Sequence, residues 1–259
     1  MIGDRKDMIQ GLILYTQFFT RIRIPVEIKD PGHKFRDNIQ YFTLFGLILG
    51  CLEAALFLGY TYLFPQWFAW MLFWMTDGMI TGGFHLDALA DTADGVMSSR
   101  TSDKMFKIMK DSRLGTMGTL ALIYFYAILF GVGAILAVRF DRFQLTMLVL
   151  ISVMMAKTGI SLLFYKMTYA GEAPGLATIW QGIKTWRIGI SQVVSLIAIG
   201  VLLGYPGLIS YLAVLIVAYG YRRYMLALLG GFSGDTLGGF AEISQVIFLL
   251  AYVIVTKLM

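Results

Sequence analysis

Asp87, Asp91 and Asp94 stand four and then three residues apart within Thr81–Gly118, TGGFHLDALADTADGVMSSRTSDKMFKIMKDSRLGTMG. On a helix of about 3.6 residues per turn this spacing sets all three carboxylates along one stripe. Like charges on one helix face repel, so the stripe does nothing for the helix itself. A divalent cation turns that repulsion into coordination. Mg²⁺ takes hard oxygen ligands and is commonly shared between carboxylates and substrate phosphates. The plain alternative is a solvated acidic face at a membrane edge. Against it stand the flanking glycines and a cationic cluster close behind: Lys104, Lys107, Lys110, Asp111, Ser112 and Arg113, ending at Gly115 and Gly118. Lysine and arginine suit phosphate oxygens, although an amphipathic surface helix facing anionic lipid has the same look.

A second polar stretch is Gly230–Glu242, GGFSGDTLGGFAE. Asp235 sits there among glycines that let backbone amides approach an anion, with Arg222 and Arg223 before it and Glu242 after it. Alone, it also reads as a glycine-rich turn between helices. Glu53, Asp77 and Lys157 fall inside apolar runs, where ionisable groups are costly, and either pair for packing or act functionally. His85 opens the triplet His85–Leu86–Asp87 and is either a membrane-edge polar residue or a base. Glu172, in the loop Tyr169–Ala177, carries no signal by itself.

The elements that must position these groups are membrane helices. Of 259 residues, 58% are hydrophobic and 14% charged, with a mean hydropathy of +0.73. A soluble domain of this length has too little interior for so much apolar surface. The apolar runs are continuous rather than alternating, which argues against a β-barrel. Cys51 is the single cysteine, so an intramolecular disulfide is excluded. The charged N-terminus has the form of no cleavable signal peptide.

The expected fold is an all-α, polytopic transmembrane helix bundle of about seven spans, forming one domain over 1–259. The spans fall at 41–64, 67–84, 117–138, 144–165, 188–205, 207–228 and 243–258. Met8–Thr20 is too short to cross and is expected to be interfacial or re-entrant. With the N-terminus in the cytoplasm, inner segments hold seventeen Lys and Arg against three outside. This positive-inside bias puts every polar stretch on the cytoplasmic side. The net charge of +5 is thereby explained as a topology signal, with no nucleic-acid partner.

Taken together the motifs resemble the cobalamin synthase family of adenosylcobinamide-GDP ribazoletransferases. Thr81–Gly95 (TGGFHLDALADTADG) is similar to that family's leading motif, with Ala88 where a glycine is usual and a slightly stiffer turn expected there. Ile108–Gly118 (IMKDSRLGTMG) matches its second motif, and Gly230–Glu242 resembles its third, with Ser233 for threonine and Gly239 for alanine. Gln245 stands where a second acid is frequent, and Phe19–Pro25 resembles the amino-terminal motif with Arg23–Ile24 inserted.

The resemblance implies a Mg²⁺-dependent transferase of the cell inner membrane, multi-pass, with its site facing the cytoplasm. It implies two substrates, adenosylcobinamide-GDP and α-ribazole or its 5′-phosphate, with GMP released, and as partners membrane lipid, a second copy of the chain or other corrinoid-pathway enzymes. Implied metal ligands are Asp87, Asp91 and Asp94, completed by Asp111 or Asp235. Lys110 and Arg113 would hold phosphate oxygens, and His85 or a carboxylate would be the general base. Lys107, Ser112, Arg222, Arg223 and Glu242 would contact substrate. Two other classes stay open from the residues: a membrane phosphotransferase of the CDP-alcohol or prenyltransferase kind, and a transporter with Asp77, Glu53 and Lys157 along its path. The spacing after Asp87 and the one-sided charge weigh against them.

Overall fold

The computed structural model describes residues 5–171 and 176–258; Glu172 lies outside them. Those residues form α1 (Arg5–Phe19), α2 (Pro31–Asp37), α3 (Phe42–Leu63), α4 (Gln66–Thr81), α5 (Phe84–Val96), α6 (Ser102–Met109), α7 (Thr116–Arg139), α8 (Arg142–Leu163), α9 (Thr185–Leu229) and α10 (Gly234–Leu258). Short 3-10 turns precede α3 and α9. The all-α expectation holds for the described residues, whose only β pairing is an isolated bridge between Tyr169 and Phe232.

Five helical segments are long and apolar enough to cross a membrane: Ile39–Leu63, Thr116–Arg139, Arg142–Leu163, Thr185–Leu229 and Gly234–Leu258. This differs from the seven expected for two physical reasons. First, α4 has 16 residues, about 24 Å of helix against a hydrocarbon core of about 30 Å. Second, the runs expected at 188–205 and 207–228 form one 45-residue element. That element does not run straight. Gly204 takes φ 62° and ψ −155°, beside Pro206, and Tyr211 donates a hydrogen bond to Gln192. Nineteen residues of straight helix would hold these two about 28 Å apart, so the chain turns back on itself at Gly204. Glycine suits the site because such a positive φ costs it nothing.

The bundle is built around α8. It starts from a capping box, Asp141 with Gln144, and nearly all of its length is buried. α3, α9 and α10 pack around it. A string of hydroxyls crosses its C-terminal half: Thr43 Oγ1 lies 2.6 Å from Ser191 Oγ, and Thr158 Oγ1 lies 2.8 Å from Ser195 Oγ. Such interhelical hydrogen bonds satisfy groups that lipid would leave unpaired. α1 is a full helix packed on α2 and α3, with Tyr15 buried and donating to the Phe35 carbonyl at 2.9 Å.

The polar segments gather at one end. Arg21 N–H donates to the Ile80 carbonyl at 2.7 Å, and Phe232 N–H to the Thr168 carbonyl at 2.9 Å. Arg222 ties α9 to the end of α8 through the Leu163 and Lys166 carbonyls. At that end α4 reverses into α5 through Gly82 and Gly83, with φ 66° and 68°. Two successive left-handed residues are what glycine tolerates and other residues resist.

Candidate active site

α5 carries the acidic stripe, and its neighbours decide what the stripe can do. Ala88 and Thr92 form its buried seam and sit against α10, where a Cβ on Gly238 would lie 2.6 Å from the Ala88 Cβ. The helices touch there because Gly238 has no side chain. The expected turn at Ala88 is therefore replaced by mid-helix packing. The seam sets Asp87 and Asp91, its sequence neighbours, beside the first turn of α10. That helix begins at Gly234 rather than at 243, so Asp235 belongs to its first turn, where the helix dipole favours a carboxylate. Ser233 and Thr236 cap the end reciprocally, Ser233 N–H to Thr236 Oγ1 at 2.8 Å and Thr236 N–H to Ser233 Oγ at 3.1 Å.

Asp91 feels this crowding most. Its carboxyl is pushed up to about 7, first by burial and then by the charges of Asp87, Asp235 and Asp94. Among the described residues no three His, Cys, Asp or Glu side chains meet closely enough to hold a metal ion unaided. The donor chemistry nevertheless fits Mg²⁺: hard carboxylate oxygens, mutually repelling, beside a cavity with room for phosphate oxygens to complete the shell.

Asp94 has a different seat. Its Oδ2 accepts from Gly115 N–H at 2.7 Å and its Oδ1 from Gly118 N–H at 2.8 Å. These are orphan donors at the start of α7, whose N-cap, Gly115, has no side chain to satisfy them. Asp94 thus closes the whole 97–115 connection onto α7. Asp111 is likewise engaged. Arg113 Nη2 reaches its Oδ2 at 2.6 Å, and those hydrogen bonds hold the Asp111 carboxyl below its ordinary range. The pair is solvent-exposed.

Two cavities meet at Asp87. One, of ≈ 380 Å³, is lined by Phe19, Phe164, Tyr169 and Trp180 along its sides, with His85, Asp87, Lys110, Ser233 and Asp235 supplying its polar groups. The other, of ≈ 620 Å³, is open and lined by Arg21, Gln17, Thr20 and the Thr81–Gly83 turn. Phe18, Phe84 and Asp87 line both, and Asp87 is the charged member of the three. His85 is buried on the α10 side against Phe19, ring centroids 5.6 Å apart. Burial, helped by the charge of Lys157, pushes its pKa well down. The cause is that burial disfavours the charged imidazolium.

The remaining expected residues are dispersed. Lys107, Ser112 and Arg223 are exposed. Arg222 is occupied by carbonyls, and its guanidinium lies over the Phe232 ring. Glu242 is buried, and it interacts electrostatically with Asp77 and Lys157 instead of facing the stripe. Glu53, Asp77, Lys157 and Glu242 form one interior cluster that lines neither cavity at Asp87. The sequence reading missed Arg21 and the aromatic wall. Trp180 ends a short 3-10 turn without periodicity, and nothing near it in the chain marks it; Arg21 lies within Phe19–Pro25, where the amino-terminal motif gives it no role.

The model of a protein family described as cobalamin-5-phosphate synthase matches residues 11–253. A protein of Listeria monocytogenes serotype 4b named adenosylcobinamide-GDP ribazoletransferase is 38% identical over 95% of this chain and 98% of its own length. Proteins of the same name from Clostridium novyi and Klebsiella pneumoniae are 35% and 34% identical, each over 94% of this chain, covering 96% and 99% of their own lengths. No solved structure matches.

Proposed function

The chain belongs to the cobalamin-5-phosphate synthase family, and on that premise we propose that the paired cavities at Asp87 join adenosylcobinamide-GDP to α-ribazole or its 5′-phosphate. The observation that carries the reading is one carboxylate, Asp87, shared by two cavities, as a two-substrate transfer requires. In the reaction the ribose 3′-hydroxyl oxygen of the ribazole bonds to the phosphorus that carries the aminopropanol arm. The bond from that phosphorus to the bridging oxygen breaks, GMP departs with that oxygen, and the hydroxyl proton passes to a carboxylate or to solvent.

Asp87, Asp91 and Asp235 would hold Mg²⁺, which when bound neutralises charge on the diphosphate. Lys110, on the cavity wall beside Asp235, holds phosphate oxygens as a point charge. Most of the protein's contribution is therefore positioning and charge stabilisation. The transporter reading loses support, since the interior charges line neither cavity.

GMP release by the purified protein is expected to require both substrates and Mg²⁺. Asp235→Ala is expected to cut it about a hundredfold or more, the scale of several kcal/mol of lost charge stabilisation, with the melting curve unchanged. Wild-type turnover in that variant would reduce Asp235 to a helix-end residue.

The chain is a multi-pass membrane protein. We place it in the inner membrane with seven crossings: α3, α7, α8, the two arms of α9, α10, and the short α4, whose mismatch with the hydrocarbon core local thinning of the bilayer takes up. The site then faces the cytoplasm, on the strength of the seventeen-to-three charge count and the gathering of polar segments at one end. A cysteine at Ser99, exposed between α5 and α6, in a Cys51→Ala background should resist impermeant thiol reagents outside intact cells. Labelling as fast as at a site near Arg142 would overturn this orientation.

A further inference from the structure

The two cavities differ in chemistry as well as in size. The sides of the smaller one are apolar and aromatic: Phe164 and Trp180 stack at 4.8 Å and 15°, and Phe19, Ile160 and Leu237 complete the wall. Its polar groups are Asp87, Lys110, Ser233, Asp235 and one imidazole, His85. His85 is 3% exposed, and its Nε2 has no hydrogen-bond partner. A buried polar atom left in this state is costly unless a ligand supplies its partner. The larger recess is mixed, with Gln17, Thr20, Arg21 and Thr81 beside Leu86, Leu114 and Leu122, and no aromatic stack like that of Phe164 and Trp180 lines it. Arg21 at its edge is exposed and has no ion pair among the described residues.

Volume restricts the assignment. A cavity of ≈ 380 Å³ falls near the lower end of the roughly 300–1,000 Å³ of pockets that enclose a drug-sized ligand. It holds one nucleoside and excludes a corrin macrocycle. Two nucleosides enter the proposed reaction, and their edges separate them. Guanine presents several donors and acceptors along its rim, and the apolar sides would leave most of them unpaired. A benzimidazole riboside presents flat apolar faces and one free ring nitrogen.

Resting on the transferase reading above, we propose that the aromatic slot seats the benzimidazole of α-ribazole, with His85 Nε2–H donating to its free ring nitrogen and the ribose turned toward Asp87. The guanosine end of the corrinoid substrate then occupies the larger recess, with Arg21 on the phosphate that leaves as GMP, and the reacting phosphate reaches Asp87, within range of the metal and of Lys110 across the boundary. The two substrates meet from opposite sides of Asp87. His85 becomes a base-reading residue, because its buried Nε2 faces the slot without another partner.

The test uses the purified full-length protein and two ribosides, α-ribazole and an analogue in which the free ring nitrogen is replaced by CH. For wild type the analogue should show a KM about tenfold higher, the effect of one lost hydrogen bond, with KM for adenosylcobinamide-GDP unchanged. In His85→Phe the two ribosides should become equivalent. Arg21→Gln should raise KM for adenosylcobinamide-GDP alone. Independently of turnover, titrating α-ribazole should quench tryptophan fluorescence in wild type and leave Trp180→Phe unquenched. Equal KM values for the two ribosides in wild type, which needs no variant to fold, would overturn the proposal. So would a quench that persists in Trp180→Phe. If wild type releases no GMP with either riboside but Trp180 still reports α-ribazole, the transferase reading fails and the slot assignment stands.

Discussion

Asp87→Asn and Asp91→Asn are each expected to lower GMP release by about 10²–10³-fold, the kinetic equivalent of several kcal/mol of metal-mediated charge stabilisation. The amide keeps the shape of the carboxylate and loses its charge, so the comparison isolates charge. Asp91 already sits in a field of like charges that raises its carboxyl to about 7. Removing one charge from the group therefore relieves repulsion in the metal-free protein, and neither variant should melt earlier than wild type. Excess Mg²⁺ should restore part of the lost rate if affinity is the defect. The measurement is GMP release across a Mg²⁺ series for wild type and both variants, with a melting curve for each. Near-wild-type rates at low Mg²⁺ in both would show that the stripe is a solvated acidic face, and the catalytic reading would have to be rebuilt around Lys110 and Asp235.

Asp94→Asn should fail in a different way, although the sequence sets Asp94 on the same stripe. Its two oxygens accept from Gly115 and Gly118 N–H at 2.7 and 2.8 Å. An amide offers one acceptor and turns its NH₂ group toward a backbone donor. Hydrogen bonds to charged groups are worth about 1.5–3 kcal/mol each, so losing one and opposing donors at the other should cost about 3 kcal/mol. For a chain of this size that lowers the melting temperature by about 6–12 °C. Gly118→Ala should mimic it from the other side, because a Cβ there would lie 2.5 Å from Asp94 Oδ2. Activity should fall in both, without rescue by Mg²⁺, since the defect is in the seating of α5 on α7. A melting temperature within a degree of wild type in Asp94→Asn, together with full rescue by Mg²⁺, would return Asp94 to the metal.

Much of this molecule is determined by local chemistry that can be read along the chain. Continuous apolar runs with rare charges force backbone polar groups to pair within each segment, so helices follow from composition. The i, i+4, i+7 spacing of Asp87, Asp91 and Asp94 puts them on one face of any helix. The three motifs carry the family, and the charge asymmetry carries the proposed orientation, because both are written in residue identity.

Tertiary structure decided which of those carboxylates are free to act. Asp94 and Asp87 are equivalent on the α5 stripe, and they differ because the capless start of α7 arrives at one of them and a cavity at the other. Asp235 joins the stripe through Gly238, where two helices approach within a side chain's width, a contact between residues some 150 apart in sequence. Asp111, Arg222 and Glu242 share the composition of the site and are taken up by Arg113, by carbonyls and by the interior charges. Trp180 and Phe164 become the wall of a slot although neither lies in a recognisable motif. These outcomes depend on packing between distant segments, and spacing along one chain carries no record of which surfaces will meet.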